Sequence, residues 1–104
     1  MSANEFEALQ AEIKAFAVAR DWEKFHTPKN LAMAIAGEAG ELAAEFQWLT
    51  ADESSLASLA PEQLEAISLE VADVQIYLVR LADVLNIDLP AAVRRKIQIN
   101  ENRF

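Results

Sequence analysis

The chain has 104 residues and a formal net charge of −8, and this length predicts one domain over residues 1–104. It contains no cysteine and one histidine, which excludes disulfides, thiolate catalysis and a cysteine-based or histidine-rich metal site. The acidic balance argues against binding to a nucleic-acid polymer, because phosphate backbones are bound through clusters of Lys and Arg. No apolar run approaches the roughly 18 residues of a membrane span, and the first twenty residues do not resemble a signal peptide, so we expect a cytoplasmic protein with no membrane partner.

Four helices are predicted along a chain that is rich in Ala, Leu and Glu and contains only two glycines and three prolines. Ser2 and Glu5 have the spacing of a capping box and open a first amphipathic helix to about residue 20. We interpret the apolar face of this helix as core, and it comprises Phe6, Leu9, Ile13 and Phe16. Thr27 and Pro28 are typical of an N-cap and a first helical position, which predicts a second helix to about Trp48.

The polar segment over residues 50–61 predicts a loop, and a third helix follows to about Leu85. Heptad-like spacing predicts that this helix is long and well packed, through Leu64, Ile67, Val71, Val74, Leu78, Leu81 and Leu85. Asp88 is predicted to cap a last helix that begins near Pro90 and is the one locally basic part of the chain. Because a chain of this size buries only a modest core, we expect it to self-associate.

Acidic residues on the second and third predicted helices are the main functional signal, and they are Glu38, Glu41, Glu45, Glu70 and Asp73. A helix advances about 100° per residue, so Glu38 lies near the centre of the apolar stripe that should face the core. Burying an ionised carboxylate is costly without a positive charge, and no Lys or Arg follows Glu38 or Glu41 at i+3 or i+4. A divalent metal would supply that charge, and a carboxylate set suits Mg²⁺ better than zinc.

Between Glu41 and Glu70 lie 28 residues, enough for a loop to reverse the chain and bring ExxE opposite ExxD. At this point the sequence resembles the MazG-like, all-α nucleoside triphosphate pyrophosphohydrolases, whose hallmark is ExxE followed by ExxD on adjacent helices. The resemblance covers residues 19–104 and depends on three blocks, RDWEKFHTPKNLAMAIAGEAGELAAEFQW, LEVADVQIYLVRLADVLNIDLPAAV and KIQINENRF. Within this superfamily the chain looks most like the dCTP pyrophosphatase branch.

The resemblance implies a four-helix, all-α subunit that associates into a helical-bundle homo-oligomer, a dimer or a tetramer, with sites between subunits. It implies Mg²⁺, or Mn²⁺ in its place, held by Glu38, Glu41, Glu70 and Asp73. A water would attack the α-phosphorus of a nucleoside triphosphate and release the monophosphate and pyrophosphate. The catalytic carboxylates would be Glu38, Glu41 and Glu45, and either of the last two could take the proton.

The resemblance also assigns substrate-binding residues. Lys96, Asn100 and Arg103 match the family pattern KxxxNxxR and resemble phosphate-binding residues. The residues that resemble the lining of the nucleoside pocket are Trp22, His26, Asn30, Trp48 and Tyr77. Two positions depart from the family: Leu69 stands where many members have another Glu, and Ile13 stands where we expect a His in eukaryotic dCTP-preferring members. The number of metal ions and the preferred base therefore stay open.

Each of these groups has a simpler interpretation. An isolated ExxE is usually a solvated helix face, the aromatic residues could be core or subunit contacts, and His26 could be a surface or capping residue. Lys96 and Arg103 could pair with a helix C-terminus or with acidic neighbours. For the whole protein, the alternative to an enzyme is a non-catalytic, homo-oligomeric helical module that binds a protein partner. A di-iron bundle is disfavoured, because such sites use Glu-x-x-His pairs and the chain has one histidine.

Overall fold

The computed structural model describes residues 3–104, with side chains from residue 4 onward. Ser2, the predicted capping residue of the first helix, lies outside this range. The described chain contains helices and no strand; its elements are α1 (Ala3–Ala19), a short 3₁₀ turn (Glu23–Phe25), α2 (Pro28–Ala44), α3 (Pro61–Val84) and α4 (Leu89–Arg103). The prediction of an all-α, four-helix subunit is confirmed.

Side-chain caps fix the beginnings of α2 and α4, as predicted. Thr27 Oγ1 accepts a hydrogen bond from the backbone N–H of Asn30 at 3.2 Å, and Pro28 occupies the first helical position. Asp88 Oδ1 accepts a hydrogen bond from the backbone N–H of Ala91 at 3.1 Å. Such caps stabilise a helix because they satisfy backbone donors that its first turn leaves without partners.

The end of α2 lies at Ala44, earlier than the predicted boundary at Trp48. The backbone N–H groups of Glu45 and Phe46 donate to carbonyls three residues back, at 3.2 and 3.0 Å, so the helix tightens and stops. Turns follow over residues 45–48. Trp48 therefore lies outside the helix, where its side chain is 87% exposed.

The predicted loop between α2 and α3 is ordered by local hydrogen bonds. The Glu53 carboxylate accepts from the backbone N–H of Thr50 at 2.8 Å, and Thr50 Oγ1 accepts from the backbone N–H of Glu53 at 3.2 Å. At the start of α3, the Gln63 side chain accepts from the backbone N–H of Ala60 at 2.8 Å. The loop returns the chain so that α3 can pack against α2.

α2 and α3 form the main packed pair, and α1 lies against α3. The pair is antiparallel: His26, just before α2, bonds Arg80 late in α3, whereas Glu38 further along α2 lies beside the earlier residue Glu70. The buried side chains are those of Ala17, Leu31, Ile67, Val79, Arg80 and Ala82. α4 contains no buried residue and forms no comparable interface with another described helix.

One face of α3 has no partner within the described chain. It consists of residues that recur every seven positions, Leu64, Val71, Leu78 and Leu85, which are 43%, 51%, 38% and 47% exposed. We call these four residues the α3 heptad face. Ile67 is buried and Val74 and Leu81 are half-buried, so only part of the predicted stripe is packed. The predicted long third helix is therefore packed against α2 and α1 in the single chain, while its α3 heptad face stays substantially exposed.

The chain exposes more surface than its length explains. Its accessible surface is 7676 Å², whereas a folded monomer of this size exposes about 5,800 Å². Its radius of gyration is 16.1 Å, against about 13 Å for a compact domain of this length. The sparsely packed α4 and the α3 heptad face contribute to this exposed surface. None of the described helices has the length and apolar character needed to cross a membrane.

Candidate functional site

Three glutamates from two helices converge where α2 packs on α3. Glu38 and Glu41 lie one turn apart on α2, so their side chains share a helical face. Glu70 lies opposite them on α3, and one carboxylate oxygen of each of the three residues lies within 4.8 Å of the other two. The structure thus brings together three of the four residues that were predicted to hold a metal.

Two of these carboxylates contain a buried oxygen without a partner. Glu38 Oε2 and Glu70 Oε2 are shielded from solvent, and neither forms a hydrogen bond with another described residue. The ion pairs of the described chain involve Lys24 and Arg80, and neither cation pairs with these glutamates. A buried carboxylate without a compensating charge is costly. The described residues supply no cation to these two oxygens, so a positive ion would stabilise the site.

The electrostatics extend this group to all five predicted carboxylates. The pKa of Glu38 is raised, mainly by burial and then by the negative charge of Glu41. Burial and the charge of Glu41 also raise the pKa of Glu70, in the same order. Asp73 contributes to both shifts, and Glu45 contributes to the shift at Glu70. We call these five residues the acidic cluster.

The acidic cluster fits a divalent cation. Carboxylate oxygens are the ligands that hard cations prefer, and a set without His or Cys suits Mg²⁺ better than Zn²⁺. A doubly charged ion would also supply a partner for the buried oxygens of Glu38 and Glu70, which have none among the described residues.

A cavity of about 260 Å³ adjoins the acidic cluster, because Asp73 belongs to both. Its lining is mostly apolar and aromatic and comprises Ile13, Phe16, Ala17, Trp22, His26, Asp73, Ile76, Tyr77 and Arg80. A neighbouring cavity of about 290 Å³ shares Trp22, His26 and Tyr77 with it and also contacts Asn30. An apolar cleft with a few polar groups is typical of a small-molecule site. We call the two cavities together the aromatic pocket.

Ring contacts order the wall of the aromatic pocket. The rings of Phe16 and Trp22 meet edge to face with centroids 5.6 Å apart, and the His26 ring lies 6.4 Å from that of Trp22. The Arg20 guanidinium covers the Phe16 ring at 3.4 Å. Edge-to-face arrangement is a favourable geometry for aromatic pairs, so these contacts hold Trp22 and Phe16 at the pocket wall.

His26 is held at the pocket wall by Arg80. Arg80 is 5% exposed, and its Nε–H donates a hydrogen bond to His26 Nδ1 at 3.2 Å. The guanidinium also pairs with Glu23 at 3.5 Å and with Asp83 at 3.3 Å. Burial and then the Arg80 charge lower the pKa of His26, although Glu23 opposes this shift. The imidazole is therefore uncharged at neutral pH.

Four predicted substrate-binding residues lie apart from the pocket in the single chain, namely Trp48, Lys96, Asn100 and Arg103. Trp48 is on the turn after α2 and lines neither cavity of the aromatic pocket. The other three are on α4, which has no extensive interface with α2 or α3 in the described chain.

Two pocket residues, Phe16 and Arg80, are not identified by the sequence. Phe16 is predicted as core, yet it lines the aromatic pocket and is 51% exposed. Ile13 is also predicted as core, although it stands where a His is expected in dCTP-preferring members of the family, and it lines the pocket as well. Arg80 was overlooked, although a signal was present: it is the one charged residue in the apolar run IYLVRLA. It also follows Tyr77 by three positions and Asp73 by seven, which places all three on one helical face.

Relatives of known name resemble the chain in both sequence and fold. The dCTP pyrophosphatase 1 of Homo sapiens is 48% identical over 89 residues, which are 86% of this chain and 52% of that protein. The protein of the same name from Mus musculus is 46% identical over 89 residues, with the same coverage of 86% and 52%. The chain thus spans about half the length of these relatives.

A solved structure matches over nearly its whole length. A pyrophosphatase from Archaeoglobus fulgidus DSM 4304 superposes with a TM-score of 0.88 at 36% sequence identity, covering 100% of this chain and 95% of that one. No family profile matches the chain.

Proposed function

We propose that this chain, which belongs to the MazG-like, all-α nucleoside triphosphate pyrophosphohydrolase family and resembles dCTP pyrophosphatases over 86% of its length, converts a deoxynucleoside triphosphate to the monophosphate and pyrophosphate. The substrate would be dCTP or a similar nucleotide, canonical or modified, in the cytoplasmic pool. One observation carries the proposal: an acidic cluster with two buried, unpartnered oxygens adjoins an aromatic pocket through Asp73.

In the proposed reaction Glu38, Glu41, Glu70 and Asp73 would hold the metal. Mg²⁺, or Mn²⁺ in its place, would neutralise charge on phosphate oxygens and lower the pKa of a water. The carboxylates orient the triphosphate so that the water attacks the α-phosphorus. The α–β anhydride bond breaks, its electron pair leaves with pyrophosphate, and the proton of the water passes to a carboxylate.

Glu41 and Glu45 are the candidates for that proton acceptor. Both are exposed, whereas Glu38 and Glu70 are half-buried, so either can return the proton to solvent after each turnover. Glu41 is one of the three glutamates whose carboxylate oxygens converge, and Glu45 follows one turn later at the end of α2. Glu38 is proposed to act mainly as a metal ligand.

The nucleoside is proposed to occupy the aromatic pocket. Trp22 and Tyr77 offer ring surfaces for a base, while His26 and Asn30 offer polar groups. A base in the pocket would place the triphosphate toward Asp73 and hence toward the acidic cluster. Ile13 also lines the pocket, so the contact to the base at this position would be apolar.

A second copy of the chain is the proposed partner that completes the site. The α3 heptad face and the excess of accessible surface support self-association, since apolar surface of this extent is usually buried in an oligomer. Lys96, Asn100 and Arg103 on the sparsely packed α4 would then bind the phosphates, and Trp48 would cover the base. The oligomer would be a dimer or a tetramer.

A panel of nucleotides tests the proposed activity. Each of the common deoxynucleoside and ribonucleoside triphosphates, together with modified cytosine nucleotides, is incubated with Mg²⁺ and assayed separately for pyrophosphate and orthophosphate. Glu65→Gln, an exposed change on α3, is the matched control for Glu70→Gln. We expect the wild type and Glu65→Gln to release pyrophosphate from at least one deoxynucleoside triphosphate, and Glu70→Gln to release none. Failure to hydrolyse any nucleotide would favour the non-catalytic interaction module.

A further inference from the structure

Arg80 is the one buried charged residue among those whose side chains are described. A buried cation is costly unless all its donors find partners, and three of its nitrogens do. Nε bonds His26 Nδ1 at 3.2 Å, while the two terminal nitrogens pair with Glu23 at 3.5 Å and Asp83 at 3.3 Å. The two carboxylates neutralise and orient the guanidinium, which leaves the Nε–H aimed at the imidazole.

The direction of this hydrogen bond determines where His26 carries its proton. An arginine nitrogen can only donate, so His26 Nδ1 must offer its lone pair. A neutral imidazole has one protonated nitrogen, and the proton therefore lies on Nε2. Nε2 forms no hydrogen bond with any residue in the described part of the chain, and His26 lines both cavities of the aromatic pocket.

We propose that Arg80 is a positioning residue that fixes His26 in the tautomer with its proton on Nε2, so that the pocket presents a neutral N–H donor to an acceptor atom of the bound nucleobase. The role of the donor depends on the proposed function, whereas the tautomer is a property of the protein alone. Arg80 acts through His26 and does not touch the reacting phosphates.

The charged surroundings of His26 support a neutral donor. Arg80 faces it from α3 and Glu23 from the 3₁₀ turn, while Asp73 and Tyr77 of α3 line the same cavity. Burial and the Arg80 charge disfavour a second proton on the His26 ring, whereas the Glu23 charge favours it. The first two effects are larger, so the pKa of His26 is lowered. A ring that cannot readily gain a second proton offers the base one donor in a fixed position.

Nitrogen NMR of the imidazole tests the tautomer directly. The chain has one histidine, so a tag-free protein labelled with ¹⁵N-histidine gives a single set of ring signals, which report the proton on each nitrogen. We expect the wild type to show a protonated Nε2 and an unprotonated Nδ1 at neutral pH. Arg80→Met should show signals averaged over both tautomers, whereas Arg20→Met, which removes an arginine that does not bond His26, should resemble the wild type.

Averaged signals or a protonated Nδ1 in the wild type would overturn the proposal, and so would an unchanged tautomer in a folded Arg80→Met protein. If Arg80→Met does not fold by circular dichroism, the wild-type spectrum decides alone. The NMR result does not depend on hydrolysis. The tautomer assignment can therefore fail while the proposed activity holds, and the proposed activity can fail while the tautomer assignment holds.

Kinetics test whether the donor serves the base. Because His26 is proposed to contact the base and not the phosphates, Arg80→Met should raise KM roughly tenfold and leave kcat nearly unchanged. His26→Asn keeps an acceptor near the position of Nδ1 but lacks Nε2, and in this background Arg80→Met should add little further change. Additive effects of the two substitutions, or a fall in kcat at constant KM, would contradict action through His26.

Discussion

Glu38 and Glu70 are two of the proposed metal ligands, and their side chains are partly buried. Each has one carboxylate oxygen that is buried without a partner, and burial raises the pKa of each, as does the charge of Glu41. Such residues are unfavourable to the apo fold, since the ionised forms repel one another away from water. A divalent cation would attract both carboxylates and offset their mutual repulsion. The residues that destabilise the metal-free fold are therefore those proposed to bind the metal.

Amide substitutions at these positions should separate activity from folding. We expect Glu38→Gln or Glu70→Gln to lower kcat/KM roughly a hundredfold or more, because each removes a proposed metal ligand. The metal-free variants should melt at the same temperature as the wild type or above it, because a repelling charge is lost. Circular dichroism melts with and without Mg²⁺, with Glu65→Gln as control, measure this. Parallel loss of helicity and activity in both variants would indicate a purely structural role.

The pH dependence of stability follows from the same two residues. A carboxyl with a raised folded-state pKa binds its proton more tightly in the folded state than in the unfolded state. The contribution of Glu38 and Glu70 to the free energy of unfolding is therefore full below their ordinary value of 4.5 and is lost as the pH rises through the raised pKa. In metal-free protein, the stability gained by Glu70→Gln over the wild type should thus grow as the pH rises from 4.5 to neutrality. A gain that is largest at acid pH would contradict the assigned burial.

At the scale of helices, the sequence predicted most boundaries because caps and prolines are local signals. Thr27 and Asp88 cap α2 and α4 as predicted. The early end of α2 had no such signal, since Glu45 and Phe46 change from four-residue to three-residue hydrogen bonding without a Gly or Pro. The α3 heptad face was assigned to the core because periodicity identifies an apolar face and does not identify what covers it.

The candidate site was predictable in part for a similar reason. The spacing of Glu38, Glu41 and Glu70 depends on two regular helices, so their approach could be expected from sequence alone. The bond between His26 and Arg80 joins residues 54 positions apart and depends on how an irregular turn packs against α3. No periodic pattern encodes such a contact, and Arg80 was accordingly overlooked.

α4 carries the proposed phosphate-binding residues, and substitutions there should affect every nucleotide alike. Lys96→Ala or Arg103→Ala should lower kcat/KM roughly ten- to a hundredfold for each accepted substrate, the loss expected for a charged hydrogen bond. Arg95→Ala, on another face of α4, is the control and should have little effect. Changes at Trp48 or His26 should instead alter the ranking among bases. A reordered base preference in Arg103→Ala with unchanged phosphate affinity would contradict the assignment.

At the scale of the whole molecule, the uncovered surface supports the proposal that two or more chains associate. Accessible surface of 7676 Å² exceeds the roughly 5,800 Å² of a compact monomer by more than the roughly 800 Å² that each partner buries in a standard protein interface. The α3 heptad face and the sparsely packed α4 contribute exposed apolar residues to this surface. Assembly would therefore stabilise the fold and bring the cations of α4 to an acidic cluster.

Association should be required for activity. We expect light scattering to give at least twice the mass of one chain for the wild type. Leu78→Lys, in the α3 heptad face, should shift the protein toward monomer and lower activity, because a charge there opposes burial. Gln75→Lys, an exposed polar position on the same helix, should leave both unchanged. An active, strictly monomeric wild type at the assay concentration would refute the requirement.

The most direct test of the proposed reaction follows the oxygen of the attacking water. The wild type is incubated with its best deoxynucleoside triphosphate in ¹⁸O-water, with Mg²⁺ or with excess chelator, and the products are analysed by ³¹P NMR. We expect hydrolysis only with the metal, to pyrophosphate and a monophosphate that carries the ¹⁸O on its α-phosphorus, and no product from Glu38→Gln. Label in pyrophosphate, orthophosphate as the primary product, or full activity in chelator would contradict it.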